Sequence, residues 1–148
     1  MADILSPQQR SERMRLIRGQ DTKPELLLRR ALHRLGYRYR LHDARLPGHP
    51  DLVFTSRRKI IFVHGCFWHR HAGCPKAQTP QASADFWQNK FSRTVARDAA
   101  NCVTLKATGW QVLIVWECEL KNLDALLPCV RAFLDSSRLD DYVSHDLK

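Results

Sequence analysis

The chain has 148 residues, 44% of them hydrophobic, and a formal net charge of +9. That length suits one globular domain, residues 1–148. No apolar run is long enough for a signal peptide or a transmembrane helix, so a soluble, cytoplasmic protein is expected, in which the five cysteines do not form a disulfide framework.

The charge is unevenly spread. Residues 1–40 and residues 41–116 each carry ten Lys/Arg against four acids, whereas residues 117–148 carry seven acids against four bases. A basic body with an acidic tail over 135–148 points to a polyanionic partner, most simply nucleic acid. Ser6-Pro7 is a good helix start, with Ser as cap and Pro at the first helical position. The helix it opens, from Gln8 to Arg18, carries four arginines and only a thin apolar stripe. Met14 and Ile17 share one face of it. Their spacing by itself reads as docking onto the domain, while the arginines suit a phosphate backbone.

Thr22-Lys23-Pro24-Glu25 is a capping-box pattern. It predicts a second helix through Leu35, stopped by Gly36. Tyr37 to Leu41 alternates and predicts a half-buried strand. Asp51 to Phe54 and Lys59 to Val63 predict two further strands joined as a hairpin. That pairing brings Asp51 and His64 to one sheet edge. A helix is predicted from Asp85 to Ala107, stopped by Gly109. Trp110 to Trp116 is apolar enough to predict a central strand, with Glu117-Cys118 at its exit. A last helix covers Leu123 to Leu134. The order predicts a single α/β domain with a mixed sheet flanked by helices.

The most informative stretch is residues 64–74, His-Gly-Cys-Phe-Trp-His-Arg-His-Ala-Gly-Cys. Cys66, His71 and Cys74 supply three zinc ligands within nine residues, and a closed structural site needs four. Cys118 is the best remaining candidate, because it leaves a strand at an exposed end. Cys102 and Cys129 sit within helices and read as buried small hydrophobes. Such a zinc offsets the conformational entropy of ordering a long loop. With four protein ligands it has no open position for chemistry.

The remaining polar groups suit phosphodiester cleavage. That reaction needs a nucleophilic water, a base and positive charge on the developing phosphorane. Magnesium supplies the charge and takes oxygen ligands. Asp51 and the backbone carbonyl of Val63 can provide them. Either His69 or His64 can take the proton.

Pro50-Asp51, the hairpin and His-Gly-Cys-Phe-Trp-His-x-His-x2-Cys together resemble the very-short-patch repair (Vsr-type) DNA mismatch endonucleases. The resemblance extends to Met14-Arg15-x-Ile17, Thr22 to Glu25, Leu46 to Asp51, Phe86-Trp87, Arg97-Asp98 and Gly109 to Cys118. It implies a zinc-containing variant of the restriction-endonuclease-like fold. It also implies a magnesium-dependent nick on the 5′ side of the thymine in T:G mismatches, which arise from deaminated 5-methylcytosine, to begin very short patch repair.

By the same resemblance, Asp51 and the Val63 carbonyl bind magnesium, and Glu25 and His64 hold water in its shell. His69 activates the attacking water. Cys66, His71, Cys74 and Cys118 hold structural zinc. Phe67, Trp68 and Trp87 wedge into the base stack, and Met14 and Ile17, on the DNA-contacting helix of residues 1–20, enter from the minor groove. The expected partner is mismatched duplex DNA, with repair proteins beside it, and the expected state is a nucleoid-associated monomer. One departure from restriction enzymes is legible. The acid-x-lysine after the hairpin turn is replaced by Phe62-Val63-His64. The competing readings are a restriction-like nuclease without mismatch preference and a zinc-stapled DNA-binding module without catalysis.

Overall fold

The computed structural model describes residues 6–9 and 21–136. Ser6 caps the first turn reciprocally. Its Oγ accepts from Gln9 N at 3.1 Å, and its N–H donates to Gln9 Oε1 at 2.9 Å. The predicted helix body with Met14 and Ile17, and the tail from 137, lie outside the described residues.

Helix α1 (Lys23–Arg34) opens on Thr22, whose hydroxyl accepts from Glu25 N at 3.4 Å. Gly36 takes a left-handed backbone (φ 100°), which lets Tyr37 N–H close back on Leu32 O at 3.1 Å. That closure shortens the expected strand. Strand β1 is only Arg40–Leu41 and is exposed. The alternation still acts on side chains, since Tyr37 and Tyr39 both meet Phe54 edge-on, at 6.5 and 5.7 Å between ring centroids.

Strands β2 (Leu52–Phe54) and β3 (Lys59–His64) form the predicted hairpin, with Leu52 opposite Ile61 and Phe54 opposite Lys59. Arg58 adopts φ 57° in the turn. Helix α2 (Ala84–Ala107) crosses over to β4 (Gln111–Trp116), which runs parallel to β3 with His64 opposite Trp116. Helix α3 (Leu123–Asp135) closes the described chain. The sheet order is β1-β2-β3-β4, so among the described residues β4 is an edge strand rather than the central one. Its apolar run has a different cause: both of its faces are covered by core.

On one face, Leu28 and Leu32 of α1 and Leu126, Val130 and Phe133 of α3 pack on Leu52, Phe54, Ile61, Leu113 and Val115. On the other, Leu105 of α2 and Trp110 pack on Val53, Ile60 and Phe62. Successive β3 residues alternate between these faces. Lys59 and Val63 therefore point toward the α1–α3 side, and His64 toward α2.

Lys59 is 2% exposed. Its ammonium donates to Phe133 O at 2.5 Å, to Leu134 O at 3.0 Å and to Ser136 O, capping the last carbonyls of α3. Lys59→Met is expected to strand those carbonyls and to cost about 1–3 kcal/mol of stability, read by urea denaturation. No helix among the described residues is long and apolar enough to cross a membrane.

Candidate active site and metal centre

Parallel, in-register pairing of β3 and β4 decides where the candidate zinc ligands meet. Cys66 stands two residues past His64, and Cys118 two residues past Trp116, and those two residues are register partners. The chain ends therefore leave the sheet side by side. Between them the loop folds on itself through His71 N to Cys66 O (3.0 Å) and Cys74 N to His71 O (3.2 Å). His71 Nδ1 lies 3.6 Å from Cys66 Sγ and 3.4 Å from Cys118 Sγ. One donor atom from each of Cys66, His71, Cys74 and Cys118 falls within 4.8 Å of the others.

Zinc bonds of ~2.3 Å to sulfur and ~2.0 Å to nitrogen give tetrahedral S···N edges of roughly 3.5 Å, so this donor set fits zinc. Cys66 is fully buried, and burial pushes its thiol up to about 12. Such a group ionises readily only against a cation. Trp116 lies parallel over His71 at 4.3 Å and fixes the ring. Of the other two cysteines, expected to be buried, Cys102 and Cys129 are both only half-buried.

A cleft of about 530 Å³ opens beside this centre, lined among others by Gly48, Asp51, His64, His69, Arg97 and Asn101. Asp51 Oδ2 accepts from Val63 N at 2.7 Å, which ties the start of β2 to the end of β3. Glu25 reaches the same place from the first turn of α1. It is 1% exposed, and His42 Nε2 lies between the two acids, 2.7 Å from Glu25 Oε1 and 4.0 Å from Asp51 Oδ1. Burial first, and then Glu25, push Asp51 up to about 8. Neighbouring carboxyls of this kind suit a hard cation.

His64 is 5% exposed, and burial holds it down at about 3. Its ring stacks on His69 at 3.8 Å, with 9° between planes. His69 Nδ1 lies 2.6 Å from Asp98 Oδ2, so its Nε2 is the nitrogen left for the cleft.

Two residues here escaped the sequence reading of the site. One is Asp98. Phe91, Val95, Asp98, Cys102 and Leu105 recur at three-four spacing along α2, and a carboxylate in such a stripe needs a partner. That signal was available. The other is His42, whose Nε2 lies 2.7 Å from Glu25 Oε1. No motif marks it.

The aromatics form a separate cluster on the first turns of α2, not over the sheet. Phe67 meets Trp68 at 5.0 Å, Trp87 at 5.4 Å and Phe91 at 5.2 Å. Phe67 and Trp68 are half-buried, but Trp87 is only 6% exposed. Its indole N–H is buried with no hydrogen-bond partner among the described residues. In this state Trp87 backs the other two rings rather than presenting itself.

Residues 2–76 match the family model described as DNA mismatch endonuclease Vsr. The chain is 48% identical over 137 residues to the type II nicking enzyme V.XorIIP of Xanthomonas oryzae pv. oryzae, covering 93% of this chain and all of that protein. It is 42% identical over 126 residues to the DNA mismatch endonuclease Vsr of Escherichia coli K12, covering 85% of this chain and 80% of the relative. It is 43% identical over 122 residues to the type II nicking enzyme V.NmeAIP of Neisseria meningitidis, covering 82% and 86%.

Proposed function

The chain belongs to the Vsr family of DNA mismatch endonucleases, and from that premise we propose that it nicks DNA on the 5′ side of the thymine in T:G mismatches left by deaminated 5-methylcytosine. It is an endonuclease acting on DNA, which sets aside a non-catalytic binding module. The carrying observation is one cleft that brings Asp51 together with the stacked rings of His64 and His69.

In this reading Asp51 and the Val63 carbonyl would hold magnesium. When bound, the ion supplies positive charge for the phosphorane. Glu25 and His64 orient water. His69, steadied by Asp98 at Nδ1, takes the proton at Nε2. Arg97 and Asn101 line the cleft where the phosphate would lie. Cys66, His71, Cys74 and Cys118 hold structural zinc, on a restriction-endonuclease-like sheet.

Phe67 and Trp68 enter the base stack, Trp87 follows once the aromatic cluster opens, and Met14 and Ile17 approach from the minor groove. Wedging apolar side chains between base steps costs a few kcal/mol, and less at a mismatch, which favours mispaired DNA before any base is read. The protein acts as a monomer on nucleoid DNA in the cytoplasm.

The test is strand-specific nicking of a duplex with one T:G mismatch, and of its T:A control, each in several cytosine-methylation contexts with and without magnesium. A magnesium-dependent nick 5′ of the mismatched T, absent on the control, is expected. Equal cutting of both duplexes would leave a nuclease without mismatch preference. Asp98→Asn keeps the shape but presents an amide to His69 and upsets its tautomer. It is expected to lower the nicking rate roughly 10²-fold or more, with zinc content and DNA affinity unchanged.

A further inference from the structure

We infer that His42 is a positioning residue of the catalytic cation site: it links the buried Glu25 carboxylate to Asp51, which lines the cleft. The inference rests on the magnesium reading of Asp51 above. Glu25 uses its two oxygens for different purposes. Oε2 is engaged locally, accepting from Asp21 N at 3.1 Å and from Arg29 Nη1 at 3.0 Å. Those bonds serve the helix start. Oε1 is the oxygen that His42 Nε2 approaches, at 2.7 Å. The same nitrogen lies 4.0 Å from Asp51 Oδ1, so the imidazole bridges the gap between the two acids.

Its backbone is placed for this. His42 N–H donates to Asp51 O at 3.3 Å, and the residue sits at φ 47°, a left-handed conformation that costs free energy for a side chain of this size. Only 12% of the side chain is exposed. A fold that turns a histidine inward at such a position gains a fixed donor beside two carboxyl groups. Such partners behind metal ligands typically change metal affinity by 10–100-fold when removed.

The test compares two amides with the parent. His42→Asn suits the left-handed backbone, but its amide is too short to reach Glu25. In His42→Gln the amide nitrogen occupies roughly the place of Nε2. Binding of Mn2+ to the zinc-loaded full chain is followed by loss of the free-ion electron paramagnetic resonance signal, alongside the magnesium dependence of nicking. His42→Asn is expected to weaken Mn2+ binding about tenfold and to raise the magnesium needed for half-maximal rate equally, with zinc content, melting temperature and mismatch affinity at parental values. His42→Gln is expected to recover most of the loss. Parental Mn2+ binding in His42→Asn overturns the inference, as does a loss that His42→Gln shares in full. Asp51→Ala is measured in parallel. If it too binds Mn2+ like the parent, the magnesium reading itself fails, and not merely the part assigned to His42.

Discussion

Asp51→Asn is expected to reduce nicking by ~10³-fold or more while making the magnesium-free protein more stable. The first half follows from the reaction. Charge stabilisation by a metal on phosphoryl oxygens is worth several kcal/mol, and each ~1.4 kcal/mol is a tenfold rate. An amide keeps the shape of the side chain but is a poor magnesium ligand. The second half follows from burial. Asp51 is pushed up from an ordinary carboxyl value of 3.8 to about 8 by desolvation and by Glu25. An acid whose folded value lies above its unfolded value favours the protonated fold. Its ionisation therefore costs nothing below pH 3.8, and the cost grows as pH rises toward about 8. Asparagine carries no such cost. Thermal melts without added magnesium at pH 5 and pH 8 should show the variant gaining on the parent as pH rises. A variant that nicks within tenfold of the parent would remove Asp51 from the reaction, and one that melts lower at pH 8 would contradict the buried-pair geometry.

Cys66→Ser is expected to lose zinc and the cooperative fold together. Structural zinc sites carry apparent binding free energies of ~10–16 kcal/mol, against total domain stabilities of ~5–15 kcal/mol. Removing one of four ligands therefore competes with the whole stability of the domain. Cys66 is also fully buried, so serine leaves a hydroxyl where no water can reach. Metal content by atomic emission and the amplitude of the thermal transition are the measurements. Cys129→Ser, half-buried and not one of the four clustered residues, is the control and should keep both. Full zinc occupancy with an unchanged transition in Cys66→Ser would mean that Cys66 is not a ligand of the ion.

Much of this arrangement is written locally. The capping box at Thr22 and Glu25, the hairpin and the spacing of Cys66, His71 and Cys74 depend on a few residues each, and a linear reading reaches them. Cys118 needed one further fact, the parallel register of β3 and β4, which apolar runs imply only loosely. The edge position of β4 was misread because burial on two faces has the same composition whether strands or helices supply the cover. His42 was illegible for a different reason. Its importance comes from a left-handed turn at a residue that does not advertise one, and from a carboxylate seventeen positions earlier. Asp98 lies between these cases: its partner is distant, but its place in an apolar stripe was a visible anomaly. The burial of Trp87 depends on how the loop folds back onto α2, and no spacing rule encodes that.

The parallel contact between Trp116 and His71 has an optical consequence. The chain has four tryptophans, and they occupy three separate environments. Trp116 lies over a residue of the cysteine–histidine cluster. Trp68 and Trp87 sit 5.9 Å apart in the aromatic cluster, and Trp110 lies beneath the Arg58 guanidinium at 4.1 Å. Indole emission responds to a neighbouring imidazole and to stacked nucleobases. On the proposed reading, loss of zinc should register at Trp116, and entry into a duplex at Trp68 and Trp87, with Trp110 as a constant background. Single Trp→Phe replacements separate the signals, so one unlabelled protein would report on the integrity of its scaffold and on the proposed insertion into DNA in the same cuvette.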